Sequence, residues 1–296
     1  MAADNRSATA VALAGSTTRP DSGRWVREPL PFDDLAGAVS LAEETGYRSL
    51  WVPDHGVWEP FTLLASLAQR TARIGLATGV VTLSARRPAE LVSATLTLGR
   101  VSGGRAILGV GSGPEARVAV TAERLGEVAA GIDRHARLYL AALGPRMVEL
   151  AGRAADGVLL NWCSPERVAR ARGELARGAE DGGRDPGEVT VAVYVRACLG
   201  HDQEHALAAL REAAEMYAGT PYYRRQLEAD GIAPSPDEMA RALCVWGDRD
   251  AALDRLGAWR DAGADLVVVY PVPAQETASS LLGTIMAAAP DPAVER

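Results

Sequence analysis

Residues 48–82 read RSLWVPDHGVWEPFTLLASLAQRTARIGLATGVVT. Two β-rich apolar runs, RSLWV at 48–52 and IGLATGVVT at 74–82, enclose a stretch at 59–72 that opens with Glu59-Pro60. Proline at a first helical position is pre-set for a helix start, so 59–72 is expected to be helical. The flanking runs are continuously apolar rather than alternating, which suits parallel strands buried on both faces. The segment therefore reads as a βαβ unit.

The same alternation extends in both directions. Further strands are expected at 9–14, 105–110, 137–141, 157–161, 189–198 and 266–271, and helices at 31–45, 88–101, 115–130, 145–155, 165–181, 202–218, 248–262 and 275–288. Eight β/α units in order imply an α/β fold, a (β/α)8 TIM barrel, as one domain over residues 1–296. A doubly wound sheet is the rival, but it usually has fewer strands, and no Gly/Ser/Pro linker divides the chain. The loosest stretches, 15–30 and 220–236, are expected on the βα side. In such a barrel, chemistry gathers at the C-terminal ends of the strands.

Composition narrows the function classes. The 296 residues are 48% hydrophobic and 23% charged, an ordinary globular balance. A net charge of −7 suits neither DNA nor RNA, so no nucleic acid is expected as a partner. All 31 basic residues are arginine, which excludes Schiff-base and P-loop chemistry, since both need a lysine amine. Cys163, Cys198 and Cys244 form no CxxC pair. No apolar run approaches the length of a membrane span, and Met1 to Thr9 lacks a signal-peptide core. The expectation is a cytoplasmic protein without a membrane partner.

Several strand ends carry candidate chemistry. Asp54-His55 closes the second strand, where His55 suits a proton donor or an orienting group, or equally a hydrogen-bonded loop histidine. Gly79-Val80 interrupts the third strand, marking a kink or a close backbone approach to a ligand. Gly109, Gly111 and Ser112 belong to a glycine-rich end of the fourth strand that misses the G-x-G-x-x-G spacing, yet would let a flat ring approach the backbone. Gly144-Pro145-Arg146 opens a helix with free N–H groups and a cation, which suits a phosphate or merely an ordinary helix start. His201-Asp202-Gln203-Glu204-His205 matches H-x-x-E-H but opens a helix and lacks a third ligand, so no metal is expected. Cys163, with no histidine nearby in sequence, reads as a buried small residue rather than a nucleophile. Trp25, Trp58, Tyr222 and Tyr223 offer aromatic surface near the mouth, although most aromatics are packing.

In order and spacing, GYRSLWVPDH (46–55), EPFTLLASLAQRTARIGLATGVV (59–81), RRPAELVSATLTLGRVSGGRAILGVGSG (86–113) and LYLAALGPRMVELAGRAADGVLLNW (138–162) resemble one family. It is the bacterial luciferase-like superfamily of flavin- and deazaflavin-dependent oxidoreductases. The resemblance is nearest to its coenzyme F420 branch, that of methylene-tetrahydromethanopterin reductase. It covers most of residues 31–165.

The resemblance implies a hydride transfer between reduced F420 and a small-molecule substrate. An FMN-dependent monooxygenase and a non-catalytic cofactor-binding relative are the alternatives. It places His55 beside the reacting edge of the cofactor, with Asp54 next to it. It also implies a bulge near Gly79-Val80, with a non-prolyl cis peptide in several members, backing the ring. Gly109 to Gly113 would lie at the end of strand four, the phosphate at Gly144, Pro145 and Arg146, and a polar contact at Asn161. A homodimer is a family-level expectation. Two departures stand out: Gly99 occupies a position where relatives usually carry aspartate, and the 113–138 connection between strands four and five is short.

Overall fold

The computed structural model of the protein describes residues 8–14, 16–21, 24–113, 117–274 and 277–290, with the backbone alone at 16–21, 24–27 and 277. Eight parallel strands form a closed ring: β1 (Ala8–Ala12), β2 (Ser49–Val52), β3 (Gly75–Thr78, resumed at Val81–Thr82), β4 (Ala106–Gly111), β5 (Arg137–Ala141), β6 (Gly157–Asn161), β7 (Thr190–Leu199) and β8 (Leu266–Pro271). Closure is completed by β6 against β7, from Thr190↔Gly157 to Tyr194↔Asn161, and by β8 against β1, from Ala8↔Leu266 to Val11↔Val269. This is the expected (β/α)8 TIM barrel.

Helices α1 (Phe32–Glu44), α2 (Pro60–Ala68), α3 (Pro88–Val101), α4 (Val118–Ile132), α5 (Pro145–Ala154) and α6 (Pro165–Asp181) follow the first six strands in turn. After β7 come α7 (Gln203–Ala218), α8 (Pro221–Ala229), α9 (Pro236–Leu243) and α10 (Arg249–Asp261); α11 (Thr277–Ala287) follows β8. Between β4 and β5 the described chain holds α4 and a single 3-10 turn, Asp133–His135, so this connection is as short as expected.

The period-two alternation of strands sorts the side chains into two cores. Leu50, Val52, Val11 and Val193 point outward to the helices, while Ala8, Ala10, Ala12, Trp51, Tyr139, Ala192 and Tyr194 fill the barrel. Three alanines on β1 leave room for large rings on other strands. Trp51 packs edge-on against Tyr139 at 5.2 Å and Tyr194 at 6.5 Å between ring centroids. Such contacts add ~0.5–1.5 kcal/mol each beyond area burial.

Three features differ from the sequence expectation. The backbone of the loose stretch 15–30 forms an antiparallel pair, Ser16–Asp21 with Arg24–Pro29, consistent with its threonine, valine and tryptophan content. Within 220–236, Pro221 starts helix α8. A ninth parallel strand, Cys244–Gly247, pairs with the upper part of β7 from Arg196↔Cys244 to Leu199↔Gly247. With four residues, only two of them buried, it carries too little pattern to stand out in the sequence.

Candidate active site

A cavity of about 340 Å³ opens at the C-terminal end of the barrel. Of the expected site residues, Asp54, His55, Gly79, Val80, Gly111, Ser112 and Asn161 line it. Its floor is the break in β3. The Gly79-Val80 peptide bond is cis, where the family resemblance implied such a bond. Gly79 N–H donates to the Val52 carbonyl at 2.8 Å, and the Tyr194 hydroxyl donates to the Gly79 carbonyl at 2.7 Å. A Cβ at Gly79 would lie 2.0 Å from Tyr194 Oη and 3.1 Å from Trp51 Cβ, so only glycine fits. Gly109 lies behind this floor rather than on the cavity wall. A Cβ there would come 2.2 Å from the Thr78 carbonyl oxygen, while Thr78 Oγ1 bonds both the N–H and the carbonyl of Gly109, at 3.0 and 2.8 Å.

His55 and Asp54 follow β2 on the cavity wall. His55 Nε2 lies 3.5 Å from Tyr270 Oη at the end of β8, and either atom can carry the shared proton. Arg86 donates to the Asp54 carboxylate at 3.0 Å and to Glu59 at 2.9 Å. Burial pushes Glu59 up, but hydrogen bonds from Thr62 and Arg86 outweigh it and hold its carboxyl below the usual value. Asp54 thus ties the His55 loop to the start of α2 through Arg86.

The far wall holds residues that the sequence did not single out as candidates. Arg196, two positions beyond Tyr194 on β7, is buried and donates to Asn161 Oδ1. Its guanidinium carbon lies 4.2 Å from the Trp162 ring centroid, 4.8 Å from Tyr270 and 5.4 Å from Tyr217. Asn161 Nδ2 in turn donates to Tyr223 Oη at 2.6 Å. A signal was present in the sequence: Ala192, Tyr194 and Arg196 share one face by strand periodicity, and a charge in so apolar a strand is unusual. Tyr222 and Tyr223 line the cavity, whereas Trp58 packs against the outer core; the Trp25 side chain lies outside the described residues.

Gly144, Pro145 and Arg146 stand just beyond Ala142 and Leu143, which do line the cavity. Gly144 caps α5 without a side-chain hydrogen bond, no described residue other than its chain neighbours comes within 4 Å of where its Cβ would be, and Arg146 is exposed. Pro145 has no N–H and the Met147 N–H already donates to the Gly144 carbonyl at 3.0 Å, so the first turn of α5 offers the Arg146 N–H and its guanidinium beside the rim, a pair that suits an anion.

The sequence signature described as "Luciferase-like monooxygenase" matches residues 11–137 and 116–266. The chain belongs to that family. It is 30% identical to the 5,10-methylenetetrahydromethanopterin reductase of Methanolobus tindarius, over 86% of this chain and 95% of that one. Two solved structures share the fold. The coenzyme F420 dependent tetrahydromethanopterin reductase of Methanopyrus kandleri superposes with a TM-score of 0.72 at 20% identity, covering 95% of this chain and 97% of that one. The FMN-bound oxygenating constituent of 3,6-diketocamphane monooxygenase from Pseudomonas putida also gives 0.72, at 14% identity, covering 97% and 98%. As a luciferase-like protein the chain is an oxidoreductase of the kind that comprises F420-dependent enzymes and flavin monooxygenases.

The remaining sequence candidates are engaged elsewhere in this luciferase-like barrel. His201 Nε2 bonds Ser280 Oγ at 2.7 Å, and His205 Nδ1 bonds Asp202, the cap of α7, at 2.6 Å. Among the described residues no group of three or more His, Cys, Asp or Glu is gathered for a metal. Burial pushes the Cys163 thiol up to about 12, which removes it as a nucleophile near neutral pH. Among the described residues no helix is long and apolar enough to cross a membrane.

Proposed function

We propose that the protein transfers a hydride between reduced coenzyme F420 and a small organic substrate. The carrying observation is the cavity floor, where glycine at position 79, fixed by Tyr194 and Val52, offers bare backbone to one face of a planar ring. The choice of F420 follows the reductase that is 30% identical to this chain. When bound, the coenzyme supplies the hydride-carrying ring.

The residues present fit such a group. Gly79 and Val80 support the ring, Gly111 and Ser112 border it, and Gly109 holds the bulge from behind. Gly144 and Arg146 receive the phosphate through their backbone N–H groups and the guanidinium, and Pro145 sets the turn between them. Asn161, held by Tyr223, supplies a polar contact from the far wall. His55 gives or takes the accompanying proton at Nε2, and Asp54 positions its loop through Arg86. A homodimer in the cytoplasm completes this reading, and light scattering tests the oligomeric part. Absorbance spectra during incubation with reduced F420 test the cofactor part, and absence of binding would overturn it.

The second reading is an FMN-dependent monooxygenase, favoured by the description of the family whose signature matches this chain. Substrate-dependent oxygen consumption with reduced FMN would decide for it, because the reduced deazaflavin does not react readily with oxygen.

A further inference from the structure

Arg196 is a buried charge without a task in the hydride transfer proposed for this barrel. It is 4% exposed, yet it lines the cavity. Among the described residues no carboxylate forms an ion pair with it, and its hydrogen-bond partner is the neutral amide oxygen of Asn161. Burying a guanidinium without an anion is costly. Aromatic faces offset part of that cost, from Trp162 at 4.2 Å, Tyr270 at 4.8 Å and Tyr217 at 5.4 Å. The remainder is the cost of an anion-binding group held ready.

The holding is specific. Trp162 has a φ of 52°, in the left-handed region that bulky residues rarely adopt, and its ring lies against the guanidinium. Asn161, anchored by Tyr223 at 2.6 Å, fixes one edge of the fork. A guanidinium carries five N–H donors, so others remain for a ligand. Tyr270 touches both ends of the site: its ring faces Arg196 and its hydroxyl lies 3.5 Å from His55 Nε2.

We propose that Arg196 is the substrate-recognition residue of this pocket, and that the substrate carries a carboxylate attached to a flat or apolar body. The inference rests on the proposed oxidoreductase reading. A carboxylate accepts two parallel N–H bonds from such a fork, and the aromatic walls accept the rest of the molecule. Position favours the substrate over the cofactor as the source of the anion. Strand β7 stands opposite β3 in the ring, and the Arg196 guanidinium packs on Trp162, Tyr217 and Tyr270 rather than on Gly79 or Val80. A substrate anchored there lies along Tyr270 toward His55.

The test uses benzoate as probe and benzamide as its neutral counterpart, titrated calorimetrically into the full chain with and without F420. Benzoate is expected to bind at least about tenfold tighter than benzamide, because only the carboxylate brings a negative charge and two oxygens to the N–H donors that Asn161 leaves free. Arg196→Gln is expected to remove that preference while leaving benzamide binding and F420 affinity within about threefold, since the uncharged contacts stay. Equal binding of the two probes, no benzoate binding, or benzoate binding unchanged in Arg196→Gln would overturn the proposal. A loss confined to F420 affinity in Arg196→Gln would also overturn it, assigning the arginine to the cofactor. If Arg196→Gln does not fold, the benzoate-against-benzamide contrast in the unaltered protein still decides. The titration without F420 reads the anion site even if the protein binds no F420, so failure of the two readings is separable.

Discussion

The hydroxyl of Tyr194 on β7 donates a 2.7 Å hydrogen bond to the carbonyl oxygen of Gly79 at the break in β3, joining opposite sides of the barrel mouth. The bond fixes the floor of the cavity from within the core. Tyr194→Phe would leave that buried carbonyl unsatisfied, at a cost of about 1–3 kcal/mol. Urea unfolding is expected to show that loss, accompanied by weaker cofactor binding. Gly79→Ala is expected to have the larger effect on the cofactor, since the new methyl displaces Tyr194 itself.

His55 faces the cavity with its Nε2 3.5 Å from Tyr270 Oη. If it moves the proton that accompanies the hydride, His55→Ala should lower kcat by about 10²–10⁴-fold with an unchanged circular dichroism spectrum. Unchanged turnover would favour a non-catalytic relative over an enzyme that works through this histidine.

Arg146 is exposed beside the uncapped start of α5, so replacing it should leave stability within about 0.5 kcal/mol. Cofactor affinity should nevertheless fall in Arg146→Ser, and the affinity of the unaltered protein should weaken with added salt. A salt-insensitive affinity would place the phosphate elsewhere.

Stability should fall on the alkaline side. Burial raises the folded values of Tyr139 and Tyr194 above 10.0, and those of Cys163 and Cys198 from 9.0 to about 12 and about 11. Below pH 9 both states keep these protons and the stabilisation is complete. As pH rises through 9 and 10 the unfolded chain releases protons that the folded chain retains, so stability declines. Urea midpoints between pH 8 and 11 check this sign. Iodoacetamide at pH 8 is expected to leave Cys163, Cys198 and Cys244 unmodified in the folded protein, because all three are buried.

The barrel was legible because its strands are continuous apolar runs; the pattern in TVAVYV or LVVVYP leaves little choice but burial on both faces. The break in β3 was legible too, since glycine inside such a run signals a special backbone. Of the far wall, only Asn161, Tyr222 and Tyr223 stood out. Arg196, Tyr217 and Tyr270 come from three distant segments, and no local spacing records that they meet around one guanidinium. Gly109 reads as a ligand glycine from its neighbours, while the structure puts it behind Thr78, a distinction of layer that only packing reveals. The strand Cys244–Gly247 was missed because four residues cannot display a period.

The identity of the cofactor is most directly tested by titrating the protein with F420 and, separately, with FMN, following absorbance and fluorescence. Saturable binding of F420, tighter than that of FMN and weakened by Gly79→Ala, is the expected result. Preference for FMN, or no binding of F420, would contradict it.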